Sequence, residues 1–471
     1  MKGCGQHMKK IGVVICSYNG CEDTIKCIES LQRQTLQDFD IYVVDNASTD
    51  GTGDKIRQSF GEDVHILSMT ENLGGAGGFG AGIAHAAGLG YEYIALMDND
   101  IIVDEKAMEL MMASLEADES LGAVGAKILW MHKPDVIFDF SNVIDVEHQK
   151  CHSPYREVYD NERLQGLRET DFVPATAGIF RTKAILEAGS MPVDNFIYYD
   201  DIELGWNMLR KGWRMVCCGA AKVWHKSSNA NRKHDNFAEY YFRRNTLNFT
   251  AKYISEDKVE EFVDQEIDKV FPVLYGCAFK EMWRKFETTF YVFDDFARHV
   301  RGKAKERRIQ PFSVGKNQGN KVLEDLYKAG YSKVRLIIEQ NACKGRMLLT
   351  FLRNLWLGGR NVYFSVLSYT VLEGFEDLPL QQEVICCRPD LSDFRPAEEL
   401  FVPDVTIHYC GHIKDMQENV LPDISIDAHY NVVNDERSWE YYQDYEAAYV
   451  MFRDMYRPLM LSTIRELRET V

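Results

Sequence analysis

The chain of 471 residues carries 54 lysines and arginines against 72 acids, a formal charge of −18, with 45% apolar residues. That length allows two or three domains with large cores, and the acidic balance excludes a general nucleic-acid binder. The 12 cysteines include the adjacent pairs Cys217-Cys218 and Cys386-Cys387 and no Cys-X-X-Cys, a pattern of reduced thiols in a cytoplasmic protein rather than a disulfide framework. No signal peptide and no apolar run of membrane-spanning length is present in the sequence.

Residues 1–10 read as a tail or tag. Ile11 to Cys16 is an apolar run expected to form a buried strand, Thr24 to Gln34 a helix with Ile25, Ile28 and Leu31 on one face, and Asp40 to Asp45 a second strand. Ser48-Thr49-Asp50 is placed to cap a helix over Lys55 to Phe60. Val64 to Leu67 is a third strand, Ala81 to Leu89 a helix, and Tyr91 to Met97 a fourth strand. The order βαβαβαβ implies a mostly parallel, doubly wound α/β sheet covered on both faces, with ligands beyond the carboxyl ends of its strands.

Three polar clusters fall at those ends: Ser17-Tyr18-Asn19, Asp45-Asn46 and Asp98-Asn99-Asp100. Side chains two apart on a strand leave the same face, so Asp98 and Asp100 can reach one hard cation that takes oxygen ligands and keeps positions open for a diphosphate. Standing alone, the motif reads equally as a solvated acidic turn. Asp45 and the Ser17-Tyr18-Asn19 turn lie where the nucleoside half of a doubly wound crevice belongs. Gly75-X-Gly77-X-X-Gly80 matches a dinucleotide fingerprint, which raises an NAD-type oxidoreductase as a rival; yet that fingerprint should follow the first strand, and here it follows the third. The glycines are read instead as a backbone-lined floor for donor sugar and diphosphate.

Val13 to Asn19, Val44 to Gly51, Glu71 to Gly78 and Met97 to Asp100, in that order, resemble family 2 glycosyltransferases of the GT-A fold over residues 9–250. The stretches Asn72 to Gly82 and Tyr198 to Gly205 are most similar to the branch holding galactofuranosyltransferases and rhamnosyltransferases. The resemblance implies a nucleoside diphosphate sugar donor, UDP-linked (galactofuranose first) or dTDP-linked, and a glycan or lipid-linked glycan acceptor. It implies Mn²⁺ or Mg²⁺ held by Asp98, Asp100 and His225, and donor binding by Ser17, Tyr18, Asn19, Asp45, Asn72, Gly74, Gly75, Asp98, Asn99 and Arg244. Tyr240 to Asn245 resembles an aromatic-X-X-Arg-Asn segment after the metal histidine, in which Arg244 or Arg243 forks onto the diphosphate; the same residues read equally as a helix start pairing with nearby acids. Asp201 becomes the base and Asp200 a helix cap or a holder of the acceptor sugar, with the reverse assignment open. Val173 to Gly178 resembles an acceptor-side loop but lacks the tryptophan common there. A non-catalytic protein on a decayed transferase fold is the second rival, opposed by the survival of every one of these acids and of His225.

Residues 251–310 read as a helical, partly basic segment. Its stretch 271–308 is rich in aromatics and ends in Arg298 to Arg308, with six cations against one acid, a composition that fits either peripheral contact with an anionic membrane or a solvated helix face. Residues 311–471 resemble no named family. Strands are expected at Val334 to Ile338, Asn361 to Val366, Glu383 to Cys386 and Asp404 to His408, and helices at Lys321 to Ala329, Gly345 to Leu357 and Ser438 to Glu466. A smaller α/β domain follows, free to dock a partner, self-associate or position the acceptor. His408-X-Cys410-X-His412 has zinc-like spacing without an evident fourth ligand.

Overall fold

The computed structural model describes residues 9–227, 236–279, 283–306, 308–309, 328–329, 333–338, 363–368, 384–386, 402–410, 424–427 and 444–469. Two compact units divide the chain: one of residues 1–267, 287–312 and 456–471, the other of residues 268–286 and 313–455.

The first unit begins β1 (Ile11–Ser17), α1 (Cys21–Gln32), β2 (Phe39–Asp45), α2 (Thr52–Phe60), β3 (Val64–Ser68), α3 (Gly74–Leu89) and β4 (Tyr93–Asp98). It continues with β5 (Ile101–Val103), α4 (Ala107–Ala117), β6 (Leu121–Trp130), β7 (Lys133–Asp139), β8 (Val143–Asp145), β9 (Lys150–His152), β10 (Leu167–Glu169) and β11 (Ala177–Arg181). Then come α5 (Thr182–Glu187), α6 (Asp200–Arg210), β12 (Arg214–His225) and α7 (Asn236–Tyr253), followed by α8 (Val259–Phe279) and α9 (Trp283–Ala297), of which residues 268–279 and 283–286 fall in the second unit. The expected βαβαβαβ order is present, and the sheet runs β10-β12-β6-β11-β4-β1-β2-β3, with β5 beside β12 and β7 beside β6.

β1 is parallel to both β2 and β4. The chain therefore leaves β1 for one side of the sheet and returns for β4 on the other, which opens a crevice at the carboxyl ends of these two strands. Ser17 and Asp98 sit at that crevice because the register pairs Cys16 with Asp98 and Ser17 with Asp45. β1 is apolar on both faces, with Val13, Ile15, Cys27, Ile28 and Leu31 in one core and Val14, Ile83, Leu96 and Phe180 in the other, the pattern of a parallel strand covered by helices on both sides.

α3 starts seven residues earlier than its apolar periodicity suggests, because its glycines are packing residues. A Cβ on Gly78 would lie 2.3 Å from the Cys16 sulfur, and one on Gly82 2.2 Å from a Val14 methyl. Helix propensity disfavours this run, and close contact with β1 overrides it. β12 continues past the adjacent cysteines to His225 after a register shift between Cys218 and Lys222.

Near the carboxyl end, α10 (Tyr445–Arg468) returns part of its length to the first unit. There Tyr456 donates to Asp294 (2.9 Å), Thr463 to the Ala297 carbonyl (2.8 Å) and Arg468 Nε to the Ala251 carbonyl (3.0 Å). The second unit holds β13 (Lys333–Ile338), β14 (Tyr363–Ser368), β15 (Val384–Cys386), β16 (Val405–Cys410) and β17 (Ile424–Asp427), all parallel in the order β15-β14-β13-β16-β17. The last strand, only four residues long, escaped the sequence pattern. The helix expected over Gly345 to Leu357, all but the end of that over Lys321 to Ala329, and His412 lie outside the described residues. Among the described residues, no helix is long and apolar enough to cross a membrane.

Candidate functional site

A cleft of about 920 Å³ opens at the carboxyl ends of β1 and β4, within the size range of small-molecule sites. Tyr18, Asn19, Asn72, Gly74, Gly75, Asp98, Asn99, Asp100 and His225 all line it. His225 stands 125 residues from Asp100, and sheet register brings them together: β12 pairs antiparallel with β5, setting His225 opposite Ile101. Its Nε2 lies 3.0 Å from one Asp100 oxygen and 3.7 Å from Asp98, and the three ligand atoms fall within 4.8 Å of one another. Two carboxylates and an imidazole at this spacing fit Mn²⁺ or Mg²⁺.

Electrostatics agree with a cation-ready cluster. Burial raises the Asp98 carboxyl above its ordinary range, with His225 opposing and Asp100 adding to the rise. Burial pushes His225 down, yet the hydrogen bond to Asp100 and the charges of Asp98, Asp100 and Asp139 prevail and hold it above the ordinary histidine value. A divalent ion would relieve both tensions by replacing the shared proton. The other ring nitrogen, Nδ1, is buried with no hydrogen-bond partner among the described residues, while the Phe138 ring meets the imidazole edge-on at 5.3 Å.

Several expected donor residues support the cleft without lining it. The Ser17 hydroxyl is fully buried and bonds Thr24 Oγ1 at 2.8 Å. Asp45 accepts from the Ser48 amide (3.0 Å) and lies so near Gly53 that a Cβ there would meet its carboxylate at 2.5 Å. Its neighbour Asn46 does line the cleft: the side chain donates to the Gly74 carbonyl (2.9 Å) and accepts from the Leu73 amide (3.1 Å), tying the end of β2 to the start of α3. The glycine floor is shorter than expected. Only Gly74 and Gly75 face the cleft; Gly74 has φ +72° and a Cβ there would strike the Phe196 carbonyl at 1.9 Å, whereas Gly75 has nothing nearer than 3.9 Å.

Asp200 and Asp201 open α6, and the residue before them, Tyr199, is the N-cap; the capping role expected of Asp200 falls one residue earlier. An unusual backbone presents them. Phe196, Tyr198 and Tyr199 all have φ +66°, a conformation that costs an L-residue about 1–3 kcal/mol. One amide restrains it: Asn245 Nδ2 lies 2.9 Å from each of the Asn195, Ile197 and Tyr198 carbonyls. Arg244 works beside it. Its guanidinium is fully buried and donates to the carbonyls of Gly302 (2.9 Å) and Asn195 (3.3 Å). The diphosphate fork expected of Arg244 thus gives way to a brace of the segment that carries the acids, because its donors are turned to backbone rather than to the cleft.

The two acids differ in surroundings. Asp200 is 8% exposed, and burial, then the charge of Asp201, lifts its carboxyl well above the ordinary range. A Cβ on Gly75 would lie 3.9 Å from its Oδ2, so it faces the donor floor. Asp201 accepts from the Ile202 amide (2.9 Å) and the Ala175 amide (3.4 Å); burial raises it to about 6, with those amides opposing. Ala175 belongs to the Val173 to Gly178 loop, so that loop touches the acid it was expected to neighbour. Burial also raises Asp139, on β7, to about 6, and its charge reaches both Asp201 and His225.

Cleft residues without a motif in the sequence include Phe196, Ile197, Phe237, Lys303 and Lys305. Their only trace was an aromatic run at 196–199 and the basic run at 298–308.

Residues 12–185 match the family model described as Glycosyl transferase family 2, and form a domain of that type. A poly-beta-1,6-N-acetyl-D-glucosamine synthase of Staphylococcus aureus (strain COL) is 22% identical over 220 residues, 46% of this chain and 50% of that protein. Glycosyltransferase GlyG of Streptococcus pneumoniae serotype 4 is 31% identical over 117 residues, 24% of this chain and 38% of that one. The chain spans half or less of the length of these curated relatives. Among solved structures, residues 1–349 of S. aureus TarS in complex with UDP-GlcNAc align at 15% identity with a TM-score of 0.40, covering 62% of this chain and 81% of that one.

Proposed function

We propose that this chain, through its family 2 domain, is an inverting, metal-dependent glycosyltransferase that moves a sugar from a nucleoside diphosphate sugar to a hydroxyl of a glycan or lipid-linked glycan. The observation that carries this reading is the meeting of Asp98, Asp100 and His225 at the floor of a cleft formed where the strand order reverses. When bound there, the cation supplies Lewis-acid stabilisation of the departing diphosphate.

The remaining chemistry falls to the aspartate pair. Burial raises both carboxyls, and at Asp200 the charge of Asp201 adds to the rise. Asp200 faces the floor at Gly75, where it holds the donor side of the site. Asp201, near 6, is ionised at neutral pH and takes the acceptor's hydroxyl proton as that oxygen attacks the anomeric carbon and the bond to the diphosphate breaks. Attack opposite the leaving group inverts the anomeric configuration. The contact of Asp201 with the Ala175 amide of the Val173 to Gly178 loop favours Asp201 over Asp200 as base.

For the donor, the Asn72 to Gly82 and Tyr198 to Gly205 stretches favour a UDP sugar, galactofuranose first, with a dTDP sugar such as rhamnose as the competitor. The name of the staphylococcal synthase brings N-acetylglucosamine into the same set. Uracil and thymine differ by one methyl group, worth about 1–3 kcal/mol in a fitted pocket. Calorimetry with UDP and dTDP in Mn²⁺ distinguishes them: dTDP binding more than about tenfold tighter, about 1.4 kcal/mol, reverses the order, and tight NAD binding with neither nucleotide bound returns the oxidoreductase rival.

A further inference from the structure

The basic run at 298–308 has its charges divided by the fold. Arg298 pairs with Asp294 at 2.7 Å, Arg308 faces Asp294 and Asp295 at 3.7 and 3.5 Å and lies 4.2 Å over the Tyr291 ring, and His299 meets Glu466 at 3.0 Å. Arg301 is partly buried within reach of the charges of Glu203 and Asp194, with its Nε and Nη2 lacking a hydrogen-bond partner among the described residues. Arg298, His299 and Arg308 serve the protein's own packing. Lys303 and Lys305 do not: both line the cleft that holds Asp98, Asp100, Gly74 and Gly75, both are exposed, and among the described residues neither ammonium has an ion-pair or hydrogen-bond partner.

The backbone that carries them is fastened to the machinery already described. Gly302, at φ +72°, donates its amide to the Asp194 carbonyl (2.7 Å) and accepts from Arg244 (2.9 Å), and the Ala304 amide donates to the Tyr241 hydroxyl at 2.8 Å. Arg244 therefore joins two segments, the one bearing Asp200 and Asp201 and the one bearing the lysines. The cleft's other charged walls include the acids Asp23, Asp98, Asp100 and Glu306, which repel an entering anion unless a cation or these two lysines offset them.

Resting on the donor reading above, we infer that Lys303 and Lys305 are diphosphate-binding residues: they meet the non-bridging oxygens of the donor's diphosphate in the cleft they share with Gly74 and Gly75. Ammonium groups on flexible stems suit phosphate as point charges, and reach it without the fixed geometry a guanidinium demands. This assigns the centre of the run to the nucleotide rather than to a membrane surface.

Binding of inorganic pyrophosphate, UDP and uridine in the presence of Mn²⁺, measured by calorimetry on the full chain, tests the assignment without depending on the sugar. Lys303→Ala/Lys305→Ala should weaken pyrophosphate and UDP about tenfold or more and leave uridine unchanged. Lys303→Arg/Lys305→Arg should recover most of the loss, and the wild-type affinity should fall with salt more steeply than that of the alanine pair. Unchanged pyrophosphate and UDP affinity in the alanine pair overturns the inference, as does an equal loss for UDP and uridine, which marks a packing role. If wild type binds neither UDP nor pyrophosphate, the donor reading itself fails and takes this one with it. Undiminished diphosphate binding by the alanine pair, together with lost binding to vesicles of anionic lipid, would return the run to the membrane.

Discussion

Asp98, Asp100 and His225 stand on or beside regular strands whose pairing sets their spacing, whereas Asp200 and Asp201 follow a segment with three non-glycine residues at φ +66° that Asn245 and Arg244 hold in place. The metal face draws its precision from the sheet. The acid pair draws its precision from strain opposed by a distant amide and guanidinium. The first arrangement tolerates changes around it and fails when a ligand is lost; the second fails by degrees when its brace is loosened, because a backbone in a sparsely populated conformation persists only while its surroundings over-determine it.

Loss of a ligand gives the largest effect. Asp100→Ala should lower turnover about 10³-fold or more, since several kcal/mol of leaving-group stabilisation go with the cation, while the melting temperature in metal-free buffer stays near wild type; equal turnover would break the metal half of the comparison. Next comes the base. Asp201→Asn keeps the shape and should lower kcat about 10²-fold or more with nucleotide affinity retained.

The same substitution carries a stability signature of opposite sign. Because burial raises Asp201 to about 6, its ionised form destabilises the fold: stability is fully present below the unfolded carboxyl value near 4 and declines as pH rises through about 6. Asp201→Asn should therefore melt higher than wild type at pH 7.5, by about 2–4 °C for each kcal/mol relieved, with the difference shrinking as pH falls toward the unfolded carboxyl value near 4. In wild type, kcat/KM should fall as pH drops through about 6, because a protonated Asp201 accepts nothing. A stability gain absent at pH 7.5 would mean that the acid is not held under tension.

Loosening the brace should act more gently. Asn245→Ala leaves up to three carbonyls short of a donor, about 1–3 kcal/mol, and should lower kcat about tenfold or more by misplacing Asp201, with UDP affinity in Mn²⁺ within about twofold of wild type. A loss of UDP binding as large as the loss of kcat would show that the two halves are not separable. Smallest of all is the response at Gly75: alanine there meets nothing nearer than 3.9 Å, so stability should hold within about 0.5 kcal/mol while the donor KM rises. Gly74→Ala, at φ +72° against the Phe196 carbonyl, should be destabilising outright.

The same contrast explains what could be read in the residues. Asp98 was legible because the apolar run 93–97 marks where the strand ends; the two-residue period also picked out Asp100, although β4 stops at Asp98 and a turn before β5 carries Asp100. The sheet was legible because β1 to β4 are buried runs alternating with amphipathic helices. His225 needed a resemblance, since its partnership depends on β12 outlasting its periodic stretch and pairing with β5. Arg244 was visible as a charge but not as a brace: sequence gives its charge, and only the fold reveals that its donors meet the carbonyls of Asn195 and Gly302. Asn245 was visible as the end of the aromatic-X-X-Arg-Asn segment Tyr240 to Asn245 but was given no role, for an asparagine within a helix shows its purpose only once the carbonyls of Asn195, Ile197 and Tyr198 are in place. The early start of α3 was hidden because helix propensity disfavours the glycines that its packing on Cys16 and Val14 requires.

The central claim is tested most directly by release of nucleoside diphosphate from a panel of nucleotide sugars, followed with Mn²⁺, with excess chelator, and with Mn²⁺ restored, in wild type and Asp100→Ala. The account predicts release from at least one sugar nucleotide that stops with chelator, returns with Mn²⁺ and is absent from the variant. Full turnover in excess chelator, or in Asp100→Ala, would contradict it.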